Sequence, residues 1–550
     1  MNIGRHSSFL IWDIFFVVLV ALYALAANLG IADISAQGSV IDSDLATYAQ
    51  GMAGAKHLEL FVHDPVLHNI TPANSIWNIQ RFFAESFTDP ENPAMGLLHI
   101  GSVIIFIWFV GFYILGRFIF VKPTFAILTS IFMGITVFIE WGTFWGVLHS
   151  DPVPRVMYGA IWPFLLIGCL LAVDRPMLRP FVMFITGLSM WIHGINALNC
   201  GAMFFLAFLF YRPDEFSWLK HCIFSLVCLI IYLIPVLTFL WSSMSPKDFS
   251  IEDLALFREI FDMRWNEDYG NLISRIWNLF NPYSEFSILW ILVSGFISWL
   301  IVLYKGKGTI HKLAKLYPPF ILALLIVVCF SAFEGYVSRY YLNRLPMGHE
   351  LVRGLRYLIP FSWLMVTGMF ATLCPQKFLR VFSSLVFLFA VILFCVSQDR
   401  QNMAVHHTIS QYTGIFMPLE KKAIDEKYKA LVVRDEINAI IENIPEGEAV
   451  FSDHEDMFVR YMALHPLVYS FKDGYAHYYS RDIIQGKLWL NYARKMEMAK
   501  LENPEQIVDI WLESKAQWFL FHNASLLPSV IKNGTIVKQG DGWFIAKRNT

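Results

Sequence analysis

A long succession of apolar segments limits the folds that this chain can adopt. Eleven segments are apolar enough to be read as membrane-spanning helices, which need about 20 residues each. They are Phe9–Leu29, Leu97–Val121, Phe125–Leu148, Val156–Val173, Phe181–Trp191, Ile195–Tyr211, Cys222–Trp241, Phe286–Tyr304, Pro318–Phe333, Tyr357–Leu373 and Phe378–Val396. Charged residues are only 16% of the chain, against about 25% in soluble proteins. The pattern predicts a helical membrane protein with about eleven spans.

The charges between the segments predict how the chain crosses the bilayer. Phe181–Trp191 and Ile195–Tyr211 are short and could also form one tilted helix. If they are separate, with a break near His193, the loops on the side of the N-terminus are all short and basic, as the positive-inside rule requires. We therefore predict two helices here, a cytoplasmic N-terminus, and long polar loops on the opposite, outer side.

The composition changes after Ser397 to one that is typical of soluble proteins. Two segments have helical spacing, Glu420–Ile444 and Asp482–Met498. Four others have strand character, namely Ala449–Ser452, Leu467–Phe471, Trp518–His522 and Gly542–Lys547. We predict a transmembrane domain over residues 1–397, with a first outer loop over 31–98, and an extracytoplasmic α/β domain over 398–550. About 150 residues is an ordinary size for one domain.

Charge and cysteine content exclude some partners. The formal net charge of −2 gives no basic field that would attract nucleic acid. The seven cysteines lie mostly in apolar segments and lack metal-ligand spacing, so we interpret them as small buried hydrophobic residues.

The first outer loop contains the acidic residues that are the best candidates for chemistry. Asp42 and Asp44 follow the first span closely and could cap a short helix. Either one could instead act as a general base, or the pair could hold a divalent cation such as Mg²⁺ or Mn²⁺. His63 and Asp64 precede a proline, which also fits a structural turn.

Three further candidates lie in or beside the predicted spans. Glu140 falls within Phe125–Leu148, and a carboxylate inside a membrane is costly enough to suggest a function. Arg155 opens the next span and needs an anionic partner, which could be Glu140 or a phosphate. His193 could serve as a ligand or only satisfy carbonyl groups at the helix break.

A second concentration of charge precedes the span at Tyr357. Arg353 and Arg356 are three residues apart, so they share one face of a helix. Two guanidinium groups on one face suit a phosphate or diphosphate. Pairing with Glu350, or binding of anionic lipid headgroups, is the structural alternative.

Taken together, these features resemble the polytopic family-C (GT-C type) glycosyltransferases that use polyprenyl-phosphate-linked sugars. The resemblance is to the bacterial members with a C-terminal extracytoplasmic domain. The matching segments are Asp42-Ser-Asp44-Leu-Ala-Thr-Tyr48, Pro154-Arg155, Gly187-Leu-Ser-Met-Trp-Ile-His193, Glu350-Leu-Val-Arg353-Gly-Leu-Arg356-Tyr357, and in the tail Trp489, Arg494, Trp518-Phe-Leu-Phe and Trp543-Phe-Ile-Ala-Lys. The chain departs from the family at Gly194, where members often have proline.

The resemblance implies an inverting transferase in a bacterial inner membrane. Asp44 or Asp42, with Asp64 as an alternative, would be the base that activates an acceptor glycan, lipid or protein. Arg353, Arg356 and Arg155 would bind the donor phosphate, and Glu140, His193, Glu350 and His63 would complete the pocket. The resemblance implies no particular cofactor, and a divalent cation at Asp42 and Asp44 stays an open alternative. The competing hypothesis is a transporter of a small or lipid-linked substrate, with its site near Glu140 and His193.

Overall fold

The computed structural model describes residues 3–41, 43–69, 92–139, 143–147, 152–243, 250–270, 277, 280–283, 287–341, 349–480, 482–514 and 516–549. Within these residues, six helices contain a stretch long and apolar enough to cross a membrane. Their full bounds are Ile3–Ile34, Pro93–Phe120, Pro154–Asp174, Trp218–Ser243, Thr309–Tyr340 and, with the short 3-10 turn before it, Leu379–Val396. The chain therefore has the architecture of a helical membrane protein. The described part shows six such helices and not the expected eleven.

The other described helices are shorter or less apolar. Three of them are also apolar, namely Pro123–Gly134, Gly194–Phe210 and Leu289–Lys305. The rest are Ser43–Lys56, Arg179–Leu188, Ile251–Gly270, Leu358–Leu373, Arg400–Thr413, Glu420–Asn443, Phe458–Tyr461, Asp473–Ser480, Ile483–Glu502, Gln506–Ser514 and Leu527–Asn533. The 3-10 segments are Leu67–Asn69, Pro176–Leu178, Ser189–Trp191, His349–Tyr357, Gln376–Phe378 and Ala524–Leu526.

The predicted span Phe125–Leu148 is wrong. Its helix ends at Gly134, and two short antiparallel strands follow, β1 (Val137–Ile139) and β2 (Thr143–Trp145). The β-branched and aromatic residues of this stretch favour strands over helix. Glu140 comes between these two strands in the sequence and lies outside the described residues.

The predicted break between the two short spans is present. The helix Arg179–Leu188 tightens into the 3-10 turn Ser189–Trp191, and a new helix begins at Gly194. His193 caps this helix, because its Nδ1 accepts a hydrogen bond from the backbone N–H of Asn196 at 3.2 Å. The break thus has a local physical cause in the sequence, a side chain that satisfies the first turn of the second helix.

The C-terminal part is built on a four-stranded sheet with the order β3 (Val450–Ser452), β4 (Trp518–Phe521), β6 (Phe544–Arg548), β5 (Gly534–Gln539). The pair β3–β4 is parallel and the other two pairs are antiparallel. The predicted strand Leu467–Phe471 is wrong, since that stretch makes only one bridge to β3. Strand β5 was not predicted, because its outward-facing residues give it little apolar character.

Two segments join the sheet to the rest of the chain. The helix Ile251–Gly270 lies in the segment between the apolar helices Trp218–Ser243 and Leu289–Lys305. Its residues Phe257 and Ile260 are nevertheless fully buried in the core of the C-terminal part. The helix Arg400–Thr413 packs against the first helix, where a side chain at Gly30 would overlap the carbonyl of Ala404. Contacts between distant parts of the chain therefore hold the C-terminal part in place.

A buried arginine connects the first loop to the C-terminal part. Arg460 has a side chain with 0% exposure, and its Nε donates to Asp64 Oδ2 at 2.7 Å. Its Nη1 donates to Asp473 Oδ1 at 2.7 Å and to Gln50 Oε1 at 3.0 Å. Asp64 also accepts from the backbone N–H of Leu467 at 3.0 Å. We call Arg460, Asp64, Asp473 and Gln50 the Arg460 cluster.

We expect Arg460→Met to destabilise the protein strongly. Removing the guanidinium leaves Asp64 and Asp473 buried without their counter-ion, which costs about 3–5 kcal/mol in comparable cases. Thermal unfolding of the detergent-solubilised protein would measure the loss. The matched control is Arg494→Ala, which breaks an ion pair with Glu259 whose side chains are 55% and 54% exposed and should cost below about 1 kcal/mol. Equal effects of the two substitutions would contradict a structural role for the cluster.

Candidate functional site

Asp44 lies in the first turn of the helix Ser43–Lys56 and faces basic groups from two distant parts of the chain. Its Oδ2 is 3.1 Å from Arg155 Nη1, and its Oδ1 accepts a hydrogen bond from Lys472 Nζ at 2.8 Å. The Asp44 side chain is 43% exposed, so it is accessible from solution. A carboxylate that is held between two cations and still accessible is the centre of the candidate site.

Arg155 is held in place by the β1–β2 hairpin and by a neighbouring helix. Pro154 starts its helix, which suits the fixed φ of proline at the first helical position. The guanidinium lies over the ring of Phe144 in β2, 5.0 Å from the ring centroid. The backbone carbonyl of Arg155 accepts a hydrogen bond from Asn196 Nδ2 at 3.5 Å. The arginine is thus directed towards Asp44 by packing and not by charge alone.

Arg353 and Arg356 lie on the 3-10 helix His349–Tyr357. With about three residues per turn, positions three apart eclipse one another, so both arginines share a face as expected. Arg353 Nη1 lies 3.3 Å from Glu350 Oε1, which is the pairing that the sequence offered as an alternative. Arg356 donates from Nη2 to Asn196 Oδ1 at 2.7 Å.

A narrow cavity adjoins these groups. It is lined by Trp108, Trp145, Arg155, Asn196, Arg356 and Tyr357, with four other residues. Arg356 is buried, and its Nε has no hydrogen-bond partner among the described residues. A buried donor without a partner is costly in a folded protein. The cavity, with about 10 Å³ of space for water-sized molecules, is therefore a polar gap beside a donor that no described group satisfies.

The electrostatics of the site favour an anion. Burial by itself would raise the pKa of Asp44, but the charges of Arg155, Lys472 and Arg353 outweigh it and hold that pKa well below its ordinary value. Burial, with the charges of Arg155 and Arg353, lowers the pKa of Arg356 to about 10, so it stays protonated at neutral pH. Among the described residues, the site contains two carboxylates, Asp44 and Glu350, and four cationic side chains. The cationic residues are Arg155, Lys472, Arg353 and Arg356.

The other predicted site residues lie elsewhere. Asp64 belongs to the Arg460 cluster, where backbone N–H groups and the guanidinium occupy both of its oxygens. This saturation favours a structural role. His63 is exposed and lines a separate depression beside Glu446 and Glu448. Asp42 and Glu140 lie outside the described residues, and His193 caps its helix close to Arg356.

The metal alternative for the first loop does not fit the described residues. Both oxygens of Asp44 contact cationic side chains, and a third cationic group, Arg353, acts on the same carboxylate. A divalent cation placed there would be repelled by all three. We therefore derive no chemical step through a metal at Asp44.

Lys472 and Asn196 also belong to the site, although the sequence alone did not predict them as site residues. Lys472 comes from the C-terminal part, in the turn before the helix Asp473–Ser480, and nothing in its local sequence distinguishes it from a surface lysine. Asn196 follows the predicted helix break, and that polar position inside an apolar stretch was a usable signal. Its amide bridges Arg155 and Arg356.

No protein-family model and no curated protein matches the chain. The interpretation of the site therefore depends on its own geometry and on the physical chemistry of its residues.

Gly354 provides a test of this geometry. A Cβ at Gly354 would overlap the side-chain amide of Asn199, so the segment that carries Arg353 and Arg356 could not keep its position. We expect Gly354→Ala to lower the thermal stability and to weaken anion binding to the site. Gly335→Ala is the matched control, because nothing lies within 4 Å of its added methyl group and alanine favours helix. A neutral Gly354→Ala would show that the two segments are not closely packed.

The pH dependence of stability tests the environment of Asp44. A depressed pKa means that its ion pairs stabilise the fold above the unfolded value of about 3.9 and stop doing so as the pH falls through the lower folded value. We expect Asp44→Asn to reduce stability by a constant amount between about pH 6 and 8. The difference from wild type should shrink below about pH 4. Unfolding midpoints of both proteins across this range would check it, and a difference that grows in acid would contradict the assignment.

Proposed function

We propose that the protein is an integral membrane glycosyltransferase that moves a sugar from a polyprenyl-phosphate donor to an extracytoplasmic acceptor. The observation that carries this proposal is the accessible Asp44 carboxylate held between Arg155 and Lys472. Around it, the described residues have more cationic groups than carboxylates. Such a site suits a reaction in which an anionic group is held and a proton is removed.

The cationic groups would hold the phosphate of the donor. Guanidinium groups keep their charge and match a phosphate with two parallel hydrogen bonds. Arg353 and Arg356 share one face, and Arg356 has a buried donor without a partner among the described residues. Arg155 opens an apolar helix, Pro154–Asp174, so the phosphate would lie near the end of that helix with its polyprenyl chain among the apolar helices. These groups would also stabilise the charge on the phosphate as it leaves.

Asp44 would act as the base on the acceptor hydroxyl. In the free protein its low pKa makes it a weak base, because Arg155 and Lys472 both stabilise the carboxylate. A bound phosphate would attract the same cations and so raise the pKa of Asp44 when the donor is in place. Attack on the anomeric carbon from the side opposite the phosphate would invert its configuration, through a transition state with oxocarbenium character. A polyprenyl phosphate leaves as a stable anion, so no general acid is needed.

The proposal includes a location and a partner class. The basic loops of the sequence favour a cytoplasmic N-terminus. With an odd number of crossings, the C-terminal part would then lie on the outer side. The acceptor would be a glycan, lipid or protein on the outer side of a bacterial inner membrane, in the synthesis of a cell-envelope polysaccharide or a similar glycan. Lys472 places the C-terminal part at the site, so that part would help to bind the acceptor or the donor.

The test uses purified full-length protein in lipid nanodiscs with labelled polyprenyl-phosphate sugars and extracted acceptors. Mass spectrometry would follow transfer of the label. We expect Asp44→Asn to lower the rate by about 10²–10⁴-fold, the usual contribution of a general base. Arg353→Ala should lower it by about 10²-fold or more, because a group that stabilises the leaving phosphate is lost.

The controls separate this proposal from its rival. Arg494→Ala, which changes an exposed ion pair, should retain the wild-type rate. If the Asp44→Asn variant still transfers sugar at the wild-type rate, Asp42 and not Asp44 is the base. If folded wild-type protein transfers no sugar from any donor but moves a labelled substrate across liposome membranes, the transporter is correct and the proposal fails.

A further inference from the structure

A second cluster of ionisable residues lies in the C-terminal part, at one edge of its sheet. Asp453 and His454 follow β3, and His522 follows β4. Because β3 and β4 are parallel, their carboxyl ends meet at the same edge and bring these three residues together. Glu436, from the helix Glu420–Asn443, and Asp456 lie against His522 from other directions.

The distances between these groups are short. Asp453 Oδ1 lies 3.1 Å from His454 Nδ1 and 3.2 Å from His522 Nδ1. In a tetrahedral site with bonds of about 2.1 Å, neighbouring ligand atoms are about 3.4 Å apart. The two separations from the carboxylate oxygen are thus already near those that one cation would require. One ligand atom from each of the three residues lies within 4.8 Å of the other two.

The carboxylate of Asp453 is held in position by the backbone. Its oxygens accept hydrogen bonds from the backbone N–H groups of His522, at 3.1 and 3.2 Å, and of Asn523, at 3.2 Å. On the far side of the His522 ring, Nε2 lies 3.0 Å from Glu436 Oε1. A carboxylate opposite the second ring nitrogen is the usual companion of a metal-binding histidine, since it keeps the proton on that nitrogen and orients the ring.

Three carboxylates surround His522 in this cluster. Glu436, Asp453 and Asp456 are all buried. Asp456 accepts a hydrogen bond from Ser452, which fixes its side chain beside the imidazole. Glu436 Oε1 makes no directed hydrogen bond within the described residues, although it is within ion-pair distance of His522.

We propose that Asp453, His454 and His522 form a binding site for a divalent transition-metal cation, with Zn²⁺ as the best match. Two imidazole nitrogens and one carboxylate oxygen are the ligand set that Zn²⁺ prefers when a fourth position stays open to water or another ligand. The side chain of His454 is 60% exposed, so the open position would face solution. Glu436 would orient His522, and the cation would displace protons from the histidines as it binds.

This site is separate from the candidate transferase site. The described contacts of Asp44 are with Arg155 and Lys472, neither of which belongs to this second cluster. A cation bound at Asp453, His454 and His522 would link the C-terminal ends of β3 and β4 and so stabilise the C-terminal part.

The test is a titration of the full-length, EDTA-treated protein with Co²⁺, followed by displacement with Zn²⁺. Co²⁺ bound to two histidines and a carboxylate gives visible ligand-field absorption that does not depend on enzyme activity. We expect saturation at one equivalent, loss of the absorption when Zn²⁺ is added, and a higher unfolding temperature with either metal.

Two variants assign the ligands. His454→Gln changes a mostly exposed side chain, so the protein should fold. It should weaken binding at least about tenfold, the loss found even when only a residue hydrogen-bonded to a metal ligand is changed. His522→Gln should weaken it further. The matched control is His63→Gln, an exposed histidine of the first loop, which should bind as wild type does. Wild-type protein without saturable binding, or unchanged affinity in both His454→Gln and His522→Gln, would overturn the proposal.

Discussion

The arrangement of this protein depends on the buried guanidinium of Arg460. It binds Asp64 from the first loop and Asp473 from the C-terminal part, and both contacts are completely buried. A charge in such a place is tolerated only when every part of it is paired, because the cost of desolvation is large. The interaction therefore fixes two segments, more than 390 residues apart in the chain, in one relative position.

The candidate site is a consequence of that constraint. Gln50, which also binds Arg460, lies on the same helix as Asp44, and Asp473 directly follows Lys472. When Arg460 holds Gln50 and Asp473, the helix and the turn that carry Asp44 and Lys472 are brought together. The ion pair between Asp44 and Lys472 is therefore held in position by the buried Arg460 cluster. The same logic explains why Asp64, an acid in the same loop, is better suited to structure than to catalysis.

The two proposed sites use opposite charge to select opposite ligands. At Asp44, cationic side chains from the apolar helices and the C-terminal part exceed the carboxylates of the described residues and would attract a phosphate. At the edge of β3 and β4, three buried carboxylates meet two histidines and would attract a cation. The sign of the charge at each site thus matches the ligand that we propose for it.

The sequence by itself determined the membrane class, the helix break at His193 and, in the described C-terminal part, the two longest helices and three of the four strands. Apolar length, periodicity and capping are local properties, which is why these elements could be predicted. The sequence also identified Asp44, Arg155, Arg353 and Arg356 as charges that need partners. Only the tertiary structure decided which partners they have. The β1–β2 hairpin replaced a predicted span, because short apolar runs fit strand and helix equally well. Lys472 lies beside Asp44 because segments far apart in the chain pack together. No local pattern in the sequence indicates such a long-range contact.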